Sequence, residues 1–271
     1  MNKASNIKTF LIITFILMYL SSIMTILLTS FGFFSFSNPL IQVLQFIAGG
    51  SPTIAAFFII YYCYNRPKRE RFFSRLFLFK VNFLWWAYAI ILPFLILIFR
   101  HFIYYKSLNN ITFEFNQIIR FLVLLVICIF AGGLEEIGWR GILFDEIKTK
   151  FSMVNITIII GVLWAFWHIP LFFIDELAMS DYNFFLYLIE AIMFSGFLTY
   201  LILRTKSIAL AVVMHAAINA SSKLDYKSNI IRGDHSLWSY LSLIVLTLFS
   251  LYLVYLYSNK NNFKELSTVK N

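Results

Sequence analysis

Three short stretches of this chain carry residue types that do acid–base chemistry. They are Glu135-Glu136-Ile137-Gly138-Trp139-Arg140, Trp164-Ala165-Phe166-Trp167-His168 and His215-Ala216-Ala217-Ile218-Asn219. Glu136 and Arg140 are four apart, so on a helix they share a face and can pair. Glu135 then points about 100° away, towards a different neighbour. One carboxylate is held by the guanidinium, and the other is left for proton transfer. His215 and Asn219 are also four apart, and they aim an imidazole and a side-chain amide at one point. That is a geometry for donating hydrogen bonds to a developing oxyanion. His168 adds a second imidazole, walled by Trp164, Phe166 and Trp167, and Pro170 can bend the helix just beyond it. A carboxylate base, an imidazole and two oxyanion donors are the parts for hydrolysing a peptide bond with an activated water. Each stretch taken singly also fits a helix-packing ion pair or hydrogen-bond clamp. It is their combination that points to chemistry.

The elements that must position these groups are membrane helices. The chain has 271 residues, of which 61% are hydrophobic and 13% charged, against about 25% charged in a soluble domain. Apolar runs of about 20 residues recur, the length that crosses the hydrocarbon core as a helix. The expected fold is an all-α, polytopic integral membrane helical bundle of about eight transmembrane helices. The expected spans are roughly 10–31, 39–63, 82–104, 117–144, 153–174, 183–203, 207–222 and 237–257. The first run is longer than a signal-peptide core and has no small-residue cleavage site after it, so it reads as a retained span. With no internal repeat and no long linker, residues 1–271 read as one membrane domain, with 117–222 as its catalytic core.

A charge at bilayer depth costs about 2.5–3.5 kcal/mol on insertion scales, so intramembrane ionisable groups mark function by default. By helical rise, Glu135, His168 and His215 lie about 14, 23 and 12 Å from the inner ends of their spans. Similar depths fit one shared polar cavity. Glu190 reads as reaching the outer interface, with a place in the cavity wall as the alternative. His101 and His235 fall at span edges, in water. Cys63 and Cys128 have no metal or disulfide spacing and read as small hydrophobes. Ser195-Gly196 reads as a packing site rather than a nucleophile.

The net charge of +9 is carried by loops. The densest run is Arg66-Pro67-Lys68-Arg69-Glu70-Arg71, followed by Arg75 and Lys80. Between two hydrophobic spans, such a run marks a cytoplasmic loop beside anionic lipid rather than a nucleic-acid site. With the N-terminus inside, inner segments hold about fifteen Lys and Arg and outer segments about six, with Arg100, Lys106, Arg120, Lys223, Lys227 and Arg232 counted outside. Both termini are therefore expected in the cytoplasm. Usage rich in Ile, Phe, Lys and Asn points to an AT-rich bacterial genome and hence a bacterial plasma membrane.

In this order on successive helices, Glu-Glu-x-x-x-Arg, aromatic-x-x-x-His and His-x-x-x-Asn resemble the motifs of the CPBP family. These are the CAAX-processing and bacteriocin-processing intramembrane proteases, also called Abi. The stretch Gly49-Gly50-Ser51-Pro52-Thr53-Ile54-Ala55-Ala56 resembles the family's second helix. The resemblance covers roughly 45–222, with its core at 131–220. It implies that Glu135 is the base that activates water, that His168 is its partner, and that His215 and Asn219 hold the oxyanion. Glu136 and Arg140 match the supporting part of the first motif. One departure is visible: Trp164 stands where the family usually has Phe. The resemblance implies either a metalloprotease or a metal-independent glutamate protease, since family members are described in both ways. No cofactor is expected, and zinc or another divalent metal on His168, His215 and a glutamate is the alternative. The implied substrate is a membrane-embedded or lipid-anchored protein or peptide, not necessarily prenylated. The rival readings are a proton- or ion-coupled transporter and a non-catalytic membrane immunity or scaffold protein.

Overall fold

The computed structural model describes residues 3–106, 115–224 and 236–268, with side chains between 5 and 259. Of the residues weighed above, Lys227, Arg232, His235 and Lys270 lie outside this set, as do the side chains of Lys3, Lys260 and Lys264. Within it the regular structure is helical. The long elements are α1 (Lys3–Ser30), α2 (Pro39–Tyr62), α3 (Arg66–Leu76), α4 (Phe83–Tyr105) and α5 (Phe115–Phe130). A broken segment follows, with a 3-10 turn at Gly133–Glu135, α6 (Glu136–Gly138), a π turn at Trp139–Leu143 and α7 (Phe144–Ile147). The chain closes with α8 (Met153–Trp167), a 3-10 turn at Ile169–Phe173, α9 (Phe184–Thr205), α10 (Ile208–Ser222) and α11 (Leu237–Thr268).

Sequence sets these boundaries through caps. Asn38, Asn82, Asn183, Ser152 and Ser207 each accept a backbone N–H from the first turn they precede, satisfying donors that the helix itself leaves free. Among the described residues, seven helical stretches are long and apolar enough to cross a membrane, with 115–147 counted as one. The eighth, α10, has only 15 residues and rises about 22 Å, less than the hydrocarbon thickness of about 30 Å. Twelve of those residues are buried, because α10 packs against α4, α5, α9 and the broken segment. A helix sheathed by others has no lipid-facing length to satisfy. Among the described residues, the expected eight spans are thus seven long helical stretches, one of them broken, and one short central helix.

The expected fourth span, 117–144, is not one continuous helix. It breaks after α5 at Gly132, whose φ of +128° is a conformation that L side chains rarely adopt. The freed backbone is caught by a neighbour, as Thr53 of α2 donates to the Leu134 carbonyl at 2.6 Å. Beyond the break, Gly138 lies against α2 so closely that a Cβ there would sit 2.5 Å from the Pro52 carbonyl oxygen. The other helices close around this centre, with α1 packed on α2, α8 on α9 and α9 on α11. Ser195-Gly196 is a packing site, as expected: Ser195 donates to the Thr157 carbonyl at 2.8 Å, and a Cβ on Gly196 would meet Ser250.

At one end of the bundle the basic helix α3 is bolted to α7 and to the start of α10. Arg75 pairs with Asp145 and donates to the Lys206 carbonyl at 3.0 Å, and Ser207 donates to the Leu78 carbonyl at 2.6 Å. Tyr64 donates to Glu146 at 2.7 Å. Burial and that carboxylate push the Tyr64 hydroxyl well above its ordinary pKa, so it stays a donor.

Candidate active site

The break in the fourth span is what presents the acidic pair. The 3-10 turn after Gly132 carries Glu135, and the helical residues that follow carry Glu136 and Arg140 on another face. Glu135 is buried and accepts the indole N–H of Trp164 through Oε2 at 2.8 Å. Glu136 points the other way, into a fully buried cluster. Its Oε2 lies 3.1 Å from Arg140 Nη1, and its Oε1 meets His215 Nδ1 at 2.9 Å. Neither Glu136 nor Arg140 has measurable side-chain exposure. A carboxylate so enclosed is stable only with such partners, and its effect is to fix the His215 ring.

His168 stands at the end of α8, with Nδ1 2.9 Å from the Trp164 carbonyl. A carbonyl only accepts, so Nδ1 carries the hydrogen, and in the neutral ring Nε2 is left as an acceptor. His215 and Asn219 come from one face of α10. A Cβ built on Gly132 would lie 2.3 Å from Asn219 Nδ2 and 3.6 Å from His215 Nε2. Both polar atoms therefore crowd the space that glycine leaves open. Trp164 packs edge-on to the rings of His168 and His215, with centroids 5.6 and 5.1 Å away.

Glu135, His168, His215 and Asn219 all line one cavity of about 820 Å³. Of the six residues singled out from sequence, these four share the cavity, while Glu136 and Arg140 stand behind its wall. The two Glu residues diverge as their spacing requires. His215 and Asn219 meet at one point, as expected, although His215 spends its other ring nitrogen on Glu136.

Three expectations need correction. Arg100, counted among the outer loop charges, is buried in α4, and His101 beside it is buried rather than in water. Glu190 takes the alternative place, in the cavity wall. There it pairs with Arg100 at 2.9 Å and accepts the Tyr182 hydroxyl. The ends of α4 agree with the expected span 82–104 to within one residue, and Arg100 already lay inside it. Two opposite charges inside two spans are a signal of pairing. The sequence shows Trp164 only as an aromatic wall, because no periodicity or spacing reveals its hydrogen bond to Glu135.

Among the described residues, no three His, Cys, Asp or Glu side chains converge as a metal-ligand set. His168 and His215 each commit Nδ1 to a hydrogen bond, which leaves Nε2 of each ring as the nitrogen available to a ligand, and Glu136 is taken by Arg140 and His215.

Fold and site together define a polytopic helical membrane protein with an acid–imidazole–amide cavity. The family model described as type II CAAX prenyl endopeptidase Rce1-like matches residues 116–221. CAAX prenyl protease 2 of Methanococcus maripaludis is 31% identical over 114 residues, covering 38% of this chain and 41% of that protein. The chain thus spans about two fifths of the length of the curated relative it matches. The resemblance read from the three motifs is borne out, and all six polar residues lie inside the matched stretch.

Proposed function

We propose that this protein is an intramembrane endopeptidase that hydrolyses a peptide bond of a membrane-associated protein or peptide. One observation carries the reading: a carboxylate, an imidazole acceptor and an amide donor from three separate helical segments line the same cavity. A water in that cavity gives a proton to Glu135 while His168 Nε2 accepts its second hydrogen and orients it. The hydroxide oxygen bonds to the peptide carbonyl carbon, and the carbonyl oxygen becomes an oxyanion. Asn219 Nδ2 donates to it, and a doubly protonated His215 would donate from Nε2 while Nδ1–H stays on Glu136. The tetrahedral centre collapses, the C–N bond breaks, and Glu135 returns its proton to the leaving amine. Glu136 and Arg140 position His215. In this reading no step passes through a metal.

The match to a CAAX prenyl protease favours a lipid-anchored substrate cut near a modified cysteine. The expected setting is a bacterial plasma membrane with both termini in the cytoplasm. The test is cleavage of matched peptides, prenylated and unprenylated, by the protein in liposomes, read by mass spectrometry. Cleavage of the prenylated peptide that survives o-phenanthroline and EDTA is expected. Cleavage of the unprenylated peptide alone removes the lipid-anchored substrate, and loss of turnover with chelator restored by zinc overturns the metal-free step. Ion flux without cleavage of either peptide identifies a transporter instead.

A further inference from the structure

Trp164 stands where a phenylalanine is usual for the resemblance drawn above, and the difference is one N–H group. Indole donates and cannot accept. That single donor is given to Oε2 of Glu135 at 2.8 Å, between two buried side chains. The same residue offers its carbonyl to His168 Nδ1 at 2.9 Å and lays its ring edge-on against His168 and His215. A buried tryptophan needs only some acceptor for its N–H, and the neighbours show other outcomes. Trp167 gives its N–H to Ser51 at 3.0 Å, and the buried Trp139 N–H has no partner among the described residues.

We propose that Trp164 is a positioning residue for the base, resting on the peptidase reading. Its N–H holds one carboxylate oxygen of Glu135 and leaves the other turned to the attacking water. Glu135 needs such a hold because it emerges from a 3-10 turn between the Gly132 break and a π turn, not from a regular helix. Catalysis through a fixed base is steeply sensitive to its placement. Phe at this position keeps the ring and loses the hold.

The experiment deletes the N–H and little else. Position 164 is changed by W164F and, separately, to benzothienylalanine, which keeps the two-ring shape with sulfur in place of N–H. Turnover is measured in liposomes. A kcat lowered about tenfold with KM within about twofold is expected, with the isostere melting like the wild type. Ultraviolet resonance Raman of the indole N–H band reads the hydrogen bond without turnover. The wild type minus Glu135→Ala difference should show one hydrogen-bonded indole lost, and that difference should vanish in the W164F background. An unchanged kcat for the isostere, or no band difference on Glu135→Ala, overturns the proposal. An inactive wild type with the band difference intact removes the peptidase reading and keeps the hydrogen bond.

Discussion

At the scale of single residues, the arrangement assigns separate work to groups that sequence spacing alone could only cluster. Asn219 aims its amide into the space left by Gly132. Asn219→Ala should lower kcat about 10²- to 10³-fold with little change in KM, the usual cost of one oxyanion donor, as steady-state kinetics on a fluorogenic peptide would show. An equal rise in KM with unchanged kcat would place Asn219 in ground-state binding instead. Gly132 is under a double constraint, a positive φ and a Cβ position 2.3 Å from Asn219 Nδ2. Gly132→Ala should cost about 1–3 kcal/mol through backbone strain and also displace the amide, so melting temperature and turnover should fall together. The motif residues were legible in sequence because helical spacing of three or four fixes which side chains share a face. The Trp164–Glu135 bond was not, because it joins residues 29 apart whose helices meet only in the fold.

The informative element is the broken fourth span. A continuous helix over 117–144 would send Glu135 out along the same cylinder as the apolar residues of α5. The break at Gly132 lets the following turn enter the bundle, where Thr53 and Pro52 of α2 receive it. The place and sense of the break depend on α2 and α10, which local sequence does not report. The other element-scale device is the ion pair between Arg100 of α4 and Glu190 of α9. Removing one partner of a buried pair strands the other at a cost of about 3–5 kcal/mol. Arg100→Met should therefore lower thermal stability in detergent, and adding Glu190→Met should restore much of it. A double variant no better than the single would show that the two side chains act independently.

At the scale of the whole molecule, composition foretold an all-helical membrane bundle because apolar runs of spanning length leave few other folds. The count of about eight spans hid one distinction. α10 is too short to cross lipid unaided and is instead a central helix that lines the cavity. Moving Arg100 from the outer loops into α4 leaves the inward bias of positive charge stronger than the sequence count gave. The basic helix α3 and both termini should therefore face the cytoplasm. Single cysteines placed at Arg66 and at Ser35, in a background without Cys63 and Cys128, would test this with a membrane-impermeant thiol reagent on intact cells. Labelling at 35 and protection at 66 is expected, and the reverse pattern would invert the topology.

The most direct test of a shared catalytic cavity is the turnover of purified protein in liposomes with and without the Glu135 carboxylate, alongside melting curves for both forms. Glu135→Ala should melt close to the wild type and cut substrate at least about 100-fold more slowly, the minimum contribution of a placed general base. Equal turnover by the two proteins would contradict the assignment of Glu135 as the group that activates water.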